Sequence, residues 1–184
     1  MLTVDNSKFN NSNYNPGKSI FLKTIWYCIN LFIFKSYLFP FYSFKVWLLR
    51  LFGAKIGIGL IIKPNVNIKY PWLLEVGNNV WIGESAWIDN LVKVSLGNNV
   101  CISQGAIILT GNHNYSLQSF DLMVGKVTLE DGVWIGAKSV VCPGVMCCSH
   151  SVLTAGSVTS KKLEPYSVYT GNPATKSHNR NIIN

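Results

Sequence analysis

Aliphatic residues recur every six positions through most of this chain, and that ladder limits the fold more than any other feature. One run is Leu129, Ile135, Val141, Cys147 and Leu153; others are Leu96, Ile102, Ile108 and Val76, Ile82, Ile88. The earliest run is Ile56, Ile62, Ile68 and Leu74. Four positions after most rungs comes a second small or branched residue, such as Val80, Ala106, Val133 or Ser157. A helix repeats every 3.6 residues and a half-buried strand every two, so neither gives this pattern. A six-residue period with Gly, Asn and Asp at fixed places predicts a hexapeptide β-helix. Each hexad supplies a short strand and a tight turn, and three hexads close one triangular coil. The rungs point into the prism, and each coil buries its apolar side on the next. The Asn-Asn and Asp-Gly pairs suit corners that need positive φ.

The coils align on one another. VGNNVWIGESAW starts at Val76, LGNNVCISQGAI at Leu96 and LEDGVWIGAKSV at Leu129. The first offset is 20 residues and the second is 33. A 15-residue excursion must therefore leave the prism after Ile108, with His113 near its start. Loops that interrupt a rigid scaffold tend to carry function. Five residues after a rung lie Ile61, Trp81, Cys101, Trp134 and Val152, expected as a stacked outer column near a corner. Two tryptophans in one apolar patch need a cover, either the N-terminal segment or a second subunit.

The net charge is +8, and it is unevenly placed: no acidic residue lies between Asn6 and Leu74, where nine Lys and Arg residues fall. An anionic partner is implied, such as a membrane surface or a phosphorylated substrate or cofactor. No nucleic-acid-binding motif accompanies the charge. The five cysteines form no C-x-x-C pair and no zinc spacing, which fits a reduced, cytoplasmic compartment.

Residues 1–17 are polar and Asn-rich, expected to be mobile or draped on the surface. Residues 18–52 are dense in apolar residues but punctuated by Lys23, Lys35, Lys45 and Arg50. The uncharged run from Thr24 to Phe34 is too short for the roughly 20 residues of a bilayer span. Two readings stay open: helical segments flanking Pro40 pack on the β-helix, or a basic aromatic face rests on an anionic membrane. The expected organisation is an N-terminal tail and apolar-basic segment over 1–52, then a β-helix over 53–184. Within the latter, an excursion loop is expected over 109–126 and a C-terminal cap over 161–184.

The runs VWIGAKSVVCPGV, VLTAGSVTSKKLEPYSVYTGNPA and GNHNY resemble the hexapeptide-repeat acyltransferases, including maltose and galactoside O-acetyltransferases. FGAKIG, KYPWLLEVGNNVWIGE, WIDN and GNHNYSLQSFDL look closer still to the colanic-acid-type acetyltransferases of exopolysaccharide synthesis. The resemblance covers roughly residues 50–175. It implies an all-β solenoid, a left-handed parallel β-helix, against the usual right-handed crossover. It further implies a homotrimer with sites between neighbouring prisms, acetyl-CoA as donor and a sugar or glycan acceptor. His113 matches the family's catalytic histidine. Asp89, with Asn90 and Asn112, falls where acceptor-binding groups are expected. Gly136, Ala137, Ala155, Gly156, Ser160, Lys161 and Lys176 fall along the expected CoA channel. Asn114 replaces an Asp common in relatives, so another group must orient His113. Thr175 stands where some relatives are basic, leaving Lys176 as the nearest cation.

Acetyl transfer to a hydroxyl needs a base, oxyanion donors and two substrates held in line. Histidine is the natural base, and backbone N–H groups near Gly136 and Ala137 are candidate oxyanion donors. No G-x-S-x-G elbow suggests a serine acyl-enzyme, so direct transfer is expected. Three rivals differ in class or acceptor: N-acetylation of an amino sugar, a zinc-dependent β-helix enzyme and a non-catalytic scaffold. A zinc site needs converging ligands, and His113, His150 and His178 are not spaced for one, so no metal is expected.

Overall fold

The computed structural model describes residues 2–12 and 14–183. Residues 55–171 wind into a three-sided parallel prism. Its first face stacks the strands Lys55–Ile56, Leu74–Val76, Val94–Leu96, Val127–Leu129 and Met146–Cys147. The second face begins with Ile61–Ile62 and runs through Trp81–Ile82, Cys101–Ile102, Trp134–Ile135 and Val152–Leu153. Ser167–Gly171 extends it in parallel, and Ala174–Asn179 folds back antiparallel as its last strand. The third face stacks Asn67–Ile68, Trp87–Asp89, Ile107–Leu109, Val140–Val141 and Val158–Thr159.

The expected register holds. Val76 pairs with Leu96 and Leu96 with Leu129, so offsets of 20 and 33 residues each amount to one coil. Rungs Ile82, Ile88, Ile102, Ile108, Leu129, Ile135 and Leu153 have no exposed surface. Each such side chain contributes about 1.5–3 kcal/mol by leaving water. The second small residue of most hexads is buried too. At 139, 151 and 157 this position is serine, and Ser139 Oγ donates to the Thr154 carbonyl at 2.8 Å. The hydroxyl thereby satisfies itself inside the core.

The corners need special residues for two different reasons. Asn79 (φ 56°), Asn99 (φ 56°) and Gly132 (φ 67°) occupy the left-handed region, as the Asn-Asn and Asp-Gly pairs implied. Their partners Asn78, Asn98 and Asp131 form a ladder in which each side-chain oxygen accepts a backbone N–H one coil away. The glycine directly after a rung answers a different need, close approach. A Cβ on Gly77 would sit 2.7 Å from the carbonyl of Gly97.

Almost all irregularity falls at the corner between the third and first faces. The turn of 3₁₀-helix Pro71–Leu73 lies there, as do Asn90–Val92 and the excursion. Leu109 still pairs with Asp89, so the chain departs after Ile108, as the ladder implied, but one residue later than the expected loop start at 109. Gly111–His113 and Leu122–Val124 then form an antiparallel hairpin, and the Gly125 N–H closes onto the Thr110 carbonyl at 2.9 Å.

Helices flank Pro40. Helix α1, Ile20–Ile29, continues as a π-helical turn over Asn30–Phe34, and α2 spans Tyr42–Leu51. One side packs on the prism through Trp26, Phe34, Leu48 and Leu49, all buried. Trp26 Nε1 donates to the Ile68 carbonyl at 2.9 Å. The other side exposes Ile20, Phe21, Phe32, Leu38, Phe41 and Trp47. No helix among the described residues is long and apolar enough to cross a membrane. Residues 5–12 and 14–16 are draped over the prism. Backbone N–H groups of Asp5 and Asn10 bond Gln118 and Asp121 of the excursion, and the Pro16 carbonyl accepts from Trp72.

Two expectations need correction. Lys45 does not join a solvent-facing basic surface. It is fully buried, its Nζ lies 5.8 Å from the Phe34 ring centre, and it has no hydrogen-bond partner among the described residues. Its place on α2 turns it to the prism side, a helical-face effect that charge counting does not see. Second, the outer column lies mid-face rather than near a corner, because position five is the strand residue beside the rung. Its register is as expected, with Trp81, Cys101, Trp134 and Val152 paired in turn. The N-terminal segment does not cover it: Trp81 is 57% and Trp134 46% exposed.

Burial pushes the Lys45 ammonium below the usual lysine range. Lys45→Met keeps the stem and removes the stranded charge, so stability should rise by about 1–4 kcal/mol. A group depressed in the fold binds fewer protons there than when unfolded. The wild type should therefore gain stability as pH climbs from its folded pKa toward the unfolded value of about 10.4, and the methionine variant should lack that gain. Thermal melts across this range check both points; a less stable methionine variant contradicts them.

Candidate active site

His113 sits at the end of the first hairpin arm, paired with Leu122. Its Nδ1 lies 2.8 Å from the Phe120 carbonyl oxygen. A carbonyl only accepts, so Nδ1 carries the proton and Nε2 is left with a free lone pair. The ring stacks on Phe120 at 4.4 Å and 5° and meets Phe9 of the draped tail at 5.7 Å. Phe120 holds φ 51°, a conformation costing a bulky residue about 1–3 kcal/mol. That turn aims its carbonyl at the imidazole. Asn114 takes no part: its Oδ1 accepts from the Ser116 N–H at 3.1 Å. Sequence reasoning missed both Phe9 and Phe120. An aromatic residue within the excursion was the available signal for Phe120, but a carbonyl contact has no sequence signature.

Asp89 ends its strand one coil below, its side chain 14% exposed. Lys69 Nζ lies 2.9 Å from Oδ1, yet out of line for a hydrogen bond, so that oxygen has no donor among the described residues. Both groups line a cavity of about 410 Å³ between α1 and the third face. His113 does not line that cavity.

Asn90, expected to face the acceptor, is instead buried. Its Nδ2 donates to the Tyr70 carbonyl at 2.6 Å and its Oδ1 accepts the Tyr70 N–H at 3.0 Å, clipping two coils together. Asn112 is exposed, with its Oδ1 held by the His113 N–H at 2.8 Å.

The remaining candidates divide between two corners. Gly136, Ala137, Ala155 and Gly156 stack at the corner between the second and third faces, where the Gly156 N–H donates to the Ala137 carbonyl at 2.8 Å. Ala155 and Gly156 are exposed, with open space over Gly156. The Gly136 N–H is not available to an oxyanion, because it donates to Leu153 at 2.7 Å. The interlocking of coils claims it, which leaves the Ala137 N–H. Ser160 and Lys161 lie exposed at the third–first corner, the one bearing His113. Lys176 is exposed on the final antiparallel strand, opposite Tyr169. One chain thus brings His113 and Lys161 to the same corner and holds the small-residue strip on another.

The other histidines are otherwise engaged. His150 packs against the Tyr166 ring at 4.7 Å, tilted by 31°, and His178 is exposed beside Ser177. Among the described residues no three His, Cys, Asp or Glu side chains form a group able to hold a metal ion. Burial raises the thiol of the rung Cys147 to about 12, so it behaves as a hydrophobe.

No protein-family model matches the chain. Over 150 residues it is 33% identical to the "Putative colanic acid biosynthesis acetyltransferase WcaF" of Escherichia coli K12, covering 82% of each chain. The chain belongs to the hexapeptide-repeat acetyltransferase family. The galactoside O-acetyltransferase of E. coli K12 is 28% identical over 123 residues, 65% of this chain and 61% of that one. A solved hexapeptide-repeat acetyltransferase from Vibrio cholerae superposes with a TM-score of 0.79 at 21% identity, covering 88% and 92% of the two chains. The prism shares the left-handed sense of these acetyltransferase structures. Another such structure, from the same organism in complex with acetyl-CoA, superposes with a TM-score of 0.78 at 20% identity, covering 88% of each chain.

Proposed function

We propose that this acetyltransferase moves an acetyl group from acetyl-CoA to a sugar hydroxyl, in surface or exopolysaccharide synthesis. One observation carries the reading: the Phe120 carbonyl fixes His113 in the tautomer that leaves Nε2 free to accept a proton. In this mechanism the acceptor O–H gives its proton to Nε2 as the oxygen attacks the thioester carbonyl. The tetrahedral intermediate collapses by breaking the C–S bond, and the imidazolium returns the proton to the leaving sulfur. The Ala137 N–H is the candidate oxyanion donor. Ala155 and Gly156 offer an exposed strip without bulky side chains for the pantetheine arm. Lys161 and Lys176 suit its phosphates.

The split between corners supports a homotrimer in which the small-residue strip of one chain faces the His113 corner of the next. The exposed Trp81–Trp134 column supports a second copy against the second face. The aromatic outer side of α1 and α2, with the exposed Lys18 and Lys35, supports peripheral contact with an anionic membrane. Flotation with phosphatidylglycerol vesicles should carry the protein upward and neutral vesicles should not; equal behaviour contradicts that contact.

The reaction is tested by incubating the protein and acetyl-CoA with nucleotide sugars, lipid-linked oligosaccharides and free sugars. CoA release should match formation of an alkali-labile ester. An alkali-stable amide would instead establish N-acetylation.

A further inference from the structure

The cavity beside Asp89 holds more positive charge than a neutral sugar needs. Lys23 and Lys35 from the helical segment and Lys69 from the third face line it, against the single carboxylate of Asp89. With Lys69 beside that carboxylate, two ammonium groups are left over. The wall is firmly set. Asn30, in the π-helical turn, donates from Nδ2 to Asn67 Oδ1 at 2.7 Å and accepts the Ile68 N–H at 3.3 Å. With Trp26 on the Ile68 carbonyl, these bonds pin α1 to the prism and leave the space in front open. π-helical turns often mark such functional places. Tyr27 and Trp87 line the same space and keep exposed ring surface. A volume of about 410 Å³ lies within the range of small-molecule sites.

These groups define a ligand. An aromatic face suits the apolar side of a pyranose. The buried Asp89 Oδ1, ion-paired with Lys69 but with no hydrogen-bond donor in line among the described residues, suits a sugar hydroxyl. Two uncompensated ammonium groups suit a phosphate ester or diphosphate. We propose that this cavity binds the acceptor as a glycosyl phosphate or diphosphate, a sugar still joined through phosphate to its carrier. The proposal rests on the acetyltransferase reading above and narrows its acceptor. The carrier is a nucleoside or a polyprenol.

The test uses the full chain saturated with CoA, so that anions cannot occupy the donor's phosphate site. Inorganic diphosphate is titrated in by calorimetry, with tryptophan fluorescence followed in parallel because Trp26 and Trp87 line the cavity. Binding should saturate. In the Lys23→Gln/Lys35→Gln double variant it should weaken at least about tenfold, through loss of charge-assisted contacts. CoA affinity and melting temperature should not change, since both lysines lie away from the core. Uridine diphosphate and farnesyl diphosphate are then compared as competitors; tighter binding of either supports the subsite and identifies the carrier. Absence of saturable diphosphate binding, or equal binding by the double variant, overturns the proposal while leaving acetyl transfer standing. Failure of CoA itself to bind would instead sink the acetyltransferase mechanism.

Discussion

His113→Ala should lower kcat by about 10²–10⁴-fold, the usual worth of a positioned general base. The fold should survive, because His113 lies on the hairpin outside the rung ladder. The lost ring contacts with Phe9 and Phe120 should cost no more than about 3 kcal/mol together. Acetyl-CoA affinity should hold, since the proposed donor groups lie in later coils. His113→Asn separates positioning from proton transfer: its amide can still donate to the Phe120 carbonyl but offers no basic nitrogen. It should be as inactive as the alanine variant. In the wild type kcat/KM should fall toward acid pH, where a protonated imidazole cannot accept the hydroxyl proton. The residual activity of both variants should lack that limb. Steady-state CoA release over a pH series reads all of this, and near-wild-type turnover by either variant would remove His113 from the role of base.

The prism was legible because a hexad ladder is a local, repeated signal. Ile82, Ile102 and Ile135 keep phase across an interruption, and a phase that survives an excursion locates it. The same alignment stacked Trp81, Cys101, Trp134 and Val152 correctly. It misjudged their height on the face because a period fixes register and not the place of each turn. The burial of Lys45 was not legible, because it comes from packing against the prism rather than from its neighbours in sequence.

The place of His113 was legible because it follows from the interruption. The backbone groups around the candidate site were opaque. The Phe120 carbonyl that sets the tautomer and the Gly136 N–H spent on Leu153 are both invisible in a string of side chains. For Asn90 the string of residues shows a polar side chain next to Asp89 but not the structural task of its amide, which spans one coil to Tyr70, 20 positions away.

The central claim is that each site joins the His113 corner of one chain to the small-residue strip of another. Mixing two inactive chains tests it most directly. His113→Asn removes the base and leaves the strip. Ala155→Trp fills the exposed strip and leaves the base; position 155 has no positive φ, so the bulk should not strain the turn. Each homotrimer should be at least about 10²-fold down. Mixed trimers are obtained by co-expressing the two chains with different affinity tags and purifying through both. In any such ring of three, one interface pairs the intact base with the intact strip, so activity should return to about one third of wild type. Co-purified mixed trimers as inactive as their parents would contradict the shared site, as would a protein that stays monomeric in light scattering at micromolar concentration.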